Sequence, residues 1–531
     1  MRRRYGRSIY RNFDEYPIKL LESRGARKTV ERMLKFSKEC DRFAHEIDEF
    51  LFKKDFEGMI SYLSGLKAFA NEHDTPEYAP IFYYLGTICG ELANQLHREG
   101  KNYLDHDIVE YRKSAMLYFR KALKYIPNPS ETFLVLPLLT NYANDVDSCG
   151  RILEALRLFR EAIKIQPQFA LALGNYGRTL SSLANMVNDV GHYKELHCYA
   201  FQAMSRAMHL KDPNFHDDAR KYFEKALTKY SDMTGIPVEY LKTEITFEHY
   251  DLGSGEECMY RNWCLENHLF LNPLNDVMDL ESAFAHDPLT ISHYTEDIYS
   301  FDLAASTRGE PPRWFAMLNQ LKEEYVYSRY LCFSSIQASG KVHYADKSVK
   351  LSNGLDYANY SIRLEQLKSA FKILYGMFDQ IAYFINDFWS MGFVEKKADA
   401  NRVFKSEKYP MDNFALVSLY WTYREFWDCY EDAEVPYEKN LVNLRNALEH
   451  KFVKIHEFPW NRELKLENDN FYHLDESAFE KFTMRLLVLA REALMYLVYA
   501  IGINENKKDS KNTDSKAVSL SVLDFADDWK R

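Results

Sequence analysis

The clearest hydrophobic pattern in the chain is a seam of large apolar residues that recur at steps of three and four in the C-terminal half. These steps place the seam residues on one face of an α-helix, which completes a turn roughly every 3.6 residues. The seam therefore predicts one long helix that ends at Gly392. Its members are Leu364, Leu367, Phe371, Leu374, Phe378, Ile381, Ile385 and Phe388.

Three further helical segments follow the seam and predict a bundle. An aromatic helix is expected around residues 414–430, and another begins near Pro436. The last helix begins at Asp475, a good capping residue, and is expected to stop at Gly502. Four long helices with moderate connections predict an antiparallel four-helix bundle over residues 351–505.

A repeat is visible in the N-terminal half. The tetrapeptide that begins at Asn141 recurs in altered form at Asn175, 34 residues later. This offset is the period of tetratricopeptide repeats, whose helix pairs pack through small and aromatic residues. The same Ala, Phe, Ala, Pro spacing occurs twice, as Ala155, Phe159, Ala162 and Pro167, and as Ala115, Phe119, Ala122 and Pro127.

The predicted fold class is therefore all-α, a tetratricopeptide-like array followed by a helical bundle. The scarcity of Gly (20) and Pro (16) supports long helices over β-sandwiches or barrels. The repeats are either only a scaffold or a groove for a protein or peptide partner. The expected domains are a basic N-terminal helical lead-in at 1–49, repeats at 50–232, an irregular connecting region at 233–350, the bundle at 351–505, and a disordered tail at 506–531.

Composition restricts location and ligands. The most apolar stretch, Leu486 to Ile501, is interrupted by Arg491 and Glu492, so a buried helix is expected and no membrane partner. The arginine-rich N-terminus lacks the apolar segment of a secretory signal. Eight cysteines without a CxxC pair fit reduced thiols, so a cytoplasmic location is expected. The net charge of −10 means that any RNA contact needs a local basic patch.

The candidate chemistry lies in the segment Arg445-Asn446-Ala-Leu-Glu-His450, on the third predicted helix of the bundle. Arginine is a permanent cation that can bind a phosphate with two donors. Histidine can give or take a proton near neutral pH. The pattern is loose, however, and it occurs a second time as Arg261 to His268. The spacing by itself does not decide which match has a function.

The C-terminal block resembles a HEPN domain, a helical-bundle superfamily that includes ribonucleases. The resemblance rests on the Arg-Asn-x-x-x-His segment in a third helix, and on the helix that contains Ser369 to Asn386. A preceding segment, Asn262 to Asp276, is similar to one that accompanies a subfamily with tetratricopeptide-like repeats. The resemblance covers about residues 240–505, and it favours Arg445 and His450 over Arg261 and His268 because only the first pair lies in the bundle.

The resemblance implies RNA cleavage without a metal ion or other cofactor, by a homodimer that forms through the HEPN domain. His450 would act as general acid or base, Arg445 would stabilise the charge on the phosphate, and Asn446 would orient Arg445 or bind the phosphate. Family members occur in bacterial toxin and antiphage systems, so a defence role triggered through the repeats is expected. The candidate RNA-binding residues form a basic loop, Lys396, Lys397, Arg402, Lys405 and Lys408.

Helix geometry gives a separate reason to expect a dimer. Five residues turn a helix by about 500°, so Arg445 and His450 lie roughly 140° apart around the axis. Two copies related by a two-fold axis could bring the groups to one phosphate. The alternative is a non-catalytic adaptor or nucleotide-binding protein, in which repeats and bundle only hold partners together.

Overall fold

In a computed structural model the described residues are 36–103, 105–126, 134–213, 215–278, 280–291, 313–338, 340, 342–352, 354, 357–427, 439–457, 471–511, 527 and 530. They are mostly helical, which confirms the all-α prediction. The chain divides into two compact units. Unit 1 comprises Met1–Asn185 with Val190–Glu248, and unit 2 comprises Met186–Asp189 with His249–Arg531.

Unit 1 is a succession of helices joined by short connections. Consecutive helices pack against each other as hairpins, so each apolar face is covered by its neighbours in sequence. The helices are α1 (Lys38–Lys53), α2 (Phe56–Glu72), α3 (Ala79–Arg98), α4 (His106–Lys124), α5 (Val135–Ser148), α6 (Ile152–Ile165), α7 (Ala170–Ala184), α8 (Val190–His209), α9 (Asp217–Thr228), α10 (Tyr230–Thr234) and α11 (Val238–Leu241).

Small residues allow the hairpins of unit 1 to close. A Cβ atom added to Gly86 in α3 would lie 2.7 Å from the ring of Phe119 in α4. A Cβ atom added to Gly177 in α7 would lie 2.7 Å from the backbone oxygen of Ala200 in α8. Helix α6 ends at Ile165, two residues before Pro167. These contacts have the geometry that a tetratricopeptide-like array requires, and that assignment stays a prediction.

The predicted lead-in at 1–49 lies mostly outside the described residues. Its described end is part of α1, which runs across the expected boundary at residue 49. Ser37 caps this helix by accepting a hydrogen bond from the Glu39 N–H. Asp55 caps α2 in the same way through the Gly58 N–H. Such caps satisfy backbone donors that have no partner inside the helix.

Unit 2 contains the long helices of the predicted bundle and a small sheet. The strands have the order β1–β2–β3, with β1 antiparallel to β2 and β2 parallel to β3. The elements are α12 (Glu256–Glu266), α13 (Arg313–Gln337), β1 (Ala358–Asn359), α14 (Ile362–Phe388), α15 (Ala400–Phe404), α16 (Phe414–Trp427), α17 (Lys439–His450), β2 (Phe452–His456), β3 (Phe471–Asp475) and α18 (Glu476–Lys511).

Helix α14 contains the predicted seam, and its large apolar residues from Leu364 to Ile385 are buried. It is capped at its start by Ser361 and ends at Phe388, before the predicted stop at Gly392. The side chain of Asn386 explains the earlier end. Its amide donates to the Phe393 carbonyl at 3.0 Å and accepts from the Phe393 N–H at 2.9 Å, which closes the turn.

Helix α13 falls inside the segment 233–350, which was expected to be irregular. It has 25 residues and packs along α14. Its buried positions include Ser328, Arg329 and Ser335. Polar residues at buried positions weaken the hydrophobic period, so the pattern did not predict this helix.

A buried arginine explains the interruption in the most apolar stretch. Arg491 in α18 donates to both carboxylate oxygens of Asp276, at 2.9 and 2.6 Å, and to the carbonyl oxygens of Phe270 and Asn272. A bidentate pair with further hydrogen bonds is the arrangement in which a buried charge is tolerated. The segment 270–276 is therefore fixed to the middle of the last helix.

A second buried ion pair holds the residues before α13. Arg329 donates to both carboxylate oxygens of Asp287 and to the carbonyl oxygen of Leu269. Burial alone would raise the pKa of Asp287, but Arg329 and the Leu271 N–H outweigh this effect and hold the pKa below its usual value. Asp287 is therefore charged at neutral pH, and the ion pair persists.

Helix α18 does not stop at Gly502 but continues to Lys511, which also shifts the start of the tail expected at 506–531. Gly502 lacks the positive φ of a helix-ending glycine. Lys508 pairs with the buried Glu505, and Lys507 pairs with Asp412, so charged residues stabilise the extra turns. Residues 512–526 lie outside the described part of the chain.

Helix α18 is also the one described helix that is long and apolar enough to cross a membrane. In its most apolar window, 94% of the residues are buried inside the protein. A core helix of a folded domain passes the same test, so this helix is weak evidence for a membrane span.

Candidate active site

Helix α17 presents the candidate catalytic residues because its apolar positions fix its orientation. Leu441, Leu444 and Leu448 lie on one face and are buried against α14 and α16. The opposite face, which includes Asn446 and His450, is exposed. The chain passes from this helix into strand β2 through a single residue, Lys451.

Arg445 lies at the edge between the buried and the exposed face of α17. Its guanidinium carbon is 5.4 Å from the centre of the Tyr375 ring in α14. It also donates a hydrogen bond of 3.1 Å to the side-chain oxygen of Asn446. Within the described residues Arg445 forms no ion pair with Glu449, and the other acidic residue near it in sequence, Glu438, lies outside the described residues. A half-buried arginine above an aromatic face keeps donors available for a phosphate.

His450 is the last residue of α17, and it is exposed. Within the described part of the chain its side chain makes no hydrogen bond and no ion pair. Asn446 and His450 are four residues apart, so they share one face of the helix. Asn446 therefore lies between Arg445, which it binds, and His450. The Arg445 and His450 side chains still point in different directions, as the turn of the helix predicts.

Tyr375 supports the site in its neutral form. Burial raises the pKa of this phenol above its usual value, although the neighbouring Arg445 opposes the shift and Asp379 adds to it. A phenol with a raised pKa stays protonated at neutral pH and is a poor general base. Tyr375 therefore contributes an aromatic face to Arg445 and no proton transfer. The sequence analysis missed it, because it lies beside the seam of α14.

The predicted basic loop lies next to this part of α14. Asp379, one turn beyond Tyr375, accepts a hydrogen bond of 2.9 Å from the Ala400 N–H at the start of α15. All five candidate RNA-binding residues are exposed. Arg402 is paired with Asp399, and Lys408 donates to the Met391 carbonyl. The loop residues are Lys396, Lys397, Arg402, Lys405 and Lys408.

The second pattern match has a structural role. Arg261 in α12 pairs with Glu257, donates to the Ala285 carbonyl and lies 5.1 Å from the Tyr250 ring. The Nδ1 atom of His268 lies 2.5 Å from the Asn275 carbonyl oxygen. These contacts hold the segment before the bundle, and they separate the second match from the site on α17.

Strand β2 begins two residues after His450, and the sequence analysis missed it. Its residues Phe452 to His456 alternate between two faces, with Ile455 buried against the domain. Val453 and Ile455 are apolar and alternate with Lys454 and His456, but the apolar Phe452 breaks the period, so the signal for a strand is weak. The strand is short and follows a helix directly, so the signal spans few residues. It adds aromatic and basic side chains beside the candidate catalytic histidine.

Among the residues that the structure describes, no group of three or more His, Cys, Asp or Glu side chains is placed to hold a metal ion. The seven described cysteines are free thiols, and six of them are buried. Burial raises the pKa of Cys40 to about 11 and that of Cys264 to about 12, so these thiols are unreactive near neutral pH. Their role is packing.

The comparison with protein families gives a match in the C-terminal part of the chain. Residues 305–504 match the model of the LA2681-like HEPN family. The matched range begins before the expected domain boundary at 351, and it includes α13 to α17 and most of α18. No curated protein and no solved structure matches the chain. HEPN proteins are generally ribonucleases, and HEPN domains commonly bind RNA and dimerise. The C-terminal part of this chain is a HEPN domain of the LA2681-like family.

Proposed function

We propose that the HEPN domain is a metal-independent endoribonuclease whose site contains Arg445, Asn446 and His450. The observation that carries this proposal is the arrangement on α17. Arg445 is held by Tyr375 and Asn446, while His450 is exposed at the end of the same helix. A fixed cation and an accessible imidazole are the two groups that phosphodiester cleavage without a metal requires.

In the proposed reaction His450 takes the proton of a ribose 2′-hydroxyl, or gives a proton to the leaving 5′-oxygen. The 2′-oxygen attacks the adjacent phosphorus, and the bond to the 5′-oxygen breaks. Arg445 stabilises the negative charge that accumulates on the phosphate oxygens. Asn446 orients Arg445 through the hydrogen bond described above. The products are a 2′,3′-cyclic phosphate and a 5′-hydroxyl end.

The proposed active unit is a homodimer that forms through the HEPN domain. Arg445 and His450 of one chain do not converge on one phosphate. Five residues turn the helix by about 500°, which leaves the two side chains roughly 140° apart around its axis. A two-fold axis beside α17 would let the arginine of one copy and the histidine of the other meet at one phosphate. His450 is exposed and Arg445 is half-buried at the edge of the same face, so a second copy could reach both groups.

The biological role proposed here is a toxin or antiphage effector in the cytoplasm. The helical hairpins of unit 1 would bind a protein or peptide, and this binding would control the nuclease. The basic loop from Lys396 to Lys408 would guide RNA to the site, because exposed lysines attract phosphates independently of sequence. A non-catalytic adaptor is the second candidate, favoured by the net charge of −10.

The decisive experiment compares the full-length wild type with the Arg445→Ala and His450→Ala variants on RNA in EDTA. Each substitution should lower cleavage by about 10²- to 10⁴-fold, since general acid–base and charge-stabilising groups contribute on this scale. The ends of the products should be a cyclic phosphate and a hydroxyl. His106→Ala and Arg98→Ala are matched controls, because both side chains are largely exposed in unit 1.

Expression of the same variants in cells tests the effector role. The wild type should arrest growth and fragment RNA once triggered, and the two site variants should not. Equal RNA integrity and equal growth in all three would exclude the nuclease and favour the adaptor. Cleavage that disappears in EDTA would exclude the metal-independent mechanism.

A further inference from the structure

Strands β2 and β3 of the three-stranded sheet have one face packed on the domain and an opposite face that is partly exposed. Ile455 and Leu474, which are 1% and 9% exposed, occupy the inner face. The residues of the other parity lie on the opposite face, where register pairs Phe452 with Phe471 and Lys454 with His473. His456 has the same parity but is buried beside His473, so this face is open to solvent at its Phe452 and Phe471 end. We call Phe452, Lys454, Phe471 and His473 the aromatic strip.

The strip exposes two phenyl rings at the end of the sheet. Phe452 is 75% exposed and Phe471 is 41% exposed. Their ring centres are 5.8 Å apart, and the rings are tilted by 44°. A single exposed apolar side chain is common, but two adjacent exposed phenyl rings form a surface that stacks well with a planar apolar partner.

The partner must also be attracted by positive charge. The Lys454 ammonium lies 3.8 Å from the centre of the Phe471 ring, and the exposed Lys451 precedes Phe452. Aromatic faces interleaved with lysines are the combination that binds single-stranded nucleic acid, where the rings stack on bases and the cations contact phosphates. Bases in a duplex are covered by their neighbours, so the strip fits unpaired RNA.

The strip continues directly from the candidate catalytic residue. Phe452 follows His450 by two residues, which span roughly 7 Å of extended chain. An RNA chain whose scissile phosphate lies at His450 would therefore reach the phenyl rings within a nucleotide or two. A second copy of the chain fits less well, since a two-fold contact through this strip would bring Lys451 and Lys454 of both copies together.

We infer that the aromatic strip binds an unpaired base next to the scissile phosphate and so restricts the substrate to single-stranded RNA. The position relative to the scissile bond rests on the proposed nuclease function. The binding itself does not, because it depends on the strip alone and can be measured without cleavage.

The test measures binding of a fluorescent single-stranded RNA of about 12 nucleotides to the full-length His450→Ala protein. In this background Phe452→Ala and Phe471→Ala should each raise Kd about tenfold, as expected for the loss of one stacking contact. Phe452→Leu should bind as weakly as Phe452→Ala, and Phe452→Trp should restore binding. Tyr344→Ala, which removes an aromatic side chain that is 79% exposed elsewhere in unit 2, is the matched control.

Several outcomes would overturn the inference. They are unchanged Kd in Phe452→Ala, wild-type binding by Phe452→Leu, equal binding of the same RNA as a duplex, or a change of oligomeric mass caused by the strip substitutions. The last result would assign the strip to a contact between copies. Thermal melting of each variant checks that the domain remains folded.

The same variants without His450→Ala separate this inference from the nuclease proposal. A cleaving protein whose KM rises in the strip variants, while kcat at saturating RNA is kept, supports both. If the strip variants cleave RNA with unchanged KM, RNA binding by the aromatic strip is excluded and the nuclease proposal is kept. If the wild type cuts no RNA but binds it, and the binding depends on the aromatic strip, the nuclease proposal is excluded and the inference about the strip is kept.

Discussion

At the scale of single residues, the position of Arg445 depends on its neighbours. A long flexible side chain on a helix surface samples many rotamers, and ordering it costs about 1–2 kcal/mol. The Tyr375 face and the Asn446 oxygen restrict Arg445 before any substrate is bound. Tyr375 is therefore a positioning residue, which acts on the reaction through Arg445.

Replacement of the aromatic ring tests this role. Tyr375→Leu should lower kcat roughly 2- to 30-fold, the range that corresponds to the loss of one cation–π contact. Tyr375→Phe should keep most of the activity, because the ring is retained. The measurement is kcat and KM at a temperature where all variants are folded. A role limited to packing would instead lower the melting temperature and leave kcat unchanged in both variants.

At the scale of elements, close helix approach in unit 1 depends on residues without a side chain. Gly177 in α7 has the backbone of Ala200 where a Cβ atom would lie. Backbone cannot move aside as a flexible side chain can, so even the smallest side chain forces the two helices apart. Gly65 in α2 provides the opposite case, since nothing lies within 4 Å of its missing Cβ atom.

The pair gives a matched prediction. Gly177→Ala should lower the free energy of unfolding of unit 1 by about 1–3 kcal/mol, because of overpacking. Gly65→Ala should raise it by about 0.5–1 kcal/mol, because alanine loses less conformational entropy in a helix. Urea unfolding followed by circular dichroism measures both. Equal effects of the two substitutions would contradict the tight approach of α7 and α8.

The elements also differ in how far the sequence predicts them. The seam of α14 is unbroken, so a periodic pattern was enough to predict its position. Helix α13 buries Arg329 and two serines, and strand β2 is five residues long, so neither has a clear hydrophobic period. The sequence analysis placed the end of α18 too early. A glycine ends a helix where its backbone adopts a positive φ, and Gly502 does not have a positive φ.

At the scale of the whole molecule, the proposed dimer has a consequence that a monomeric enzyme lacks. In a composite cleft, Arg445 of one chain works with His450 of the other. A mixed dimer of an Arg445→Ala chain and a His450→Ala chain then has one intact cleft and one that lacks both groups.

Mixing two inactive variants should therefore restore activity. Random exchange of subunits makes half of the dimers mixed, so the recovered activity should be roughly a quarter of the wild-type value. The measurement is RNA cleavage after co-expression or after exchange of purified proteins, with each variant alone as control. No recovery in a sample that contains mixed dimers by mass spectrometry would exclude a cleft shared in this way.

The sequence by itself determined the all-α class, the seam of α14, and the HEPN character of the C-terminal domain, the last through the seam helix and the segment from Arg445 to His450 together. These features depend on the order and spacing of residues within individual helices, which can be seen directly in the sequence. Only the tertiary structure placed Tyr375 under Arg445, Asp276 on Arg491, and Phe452 beside Phe471. Packing and charge pairing between elements create these contacts. The residues that they join are not related by any regular spacing in sequence, so no pattern in the sequence predicts them.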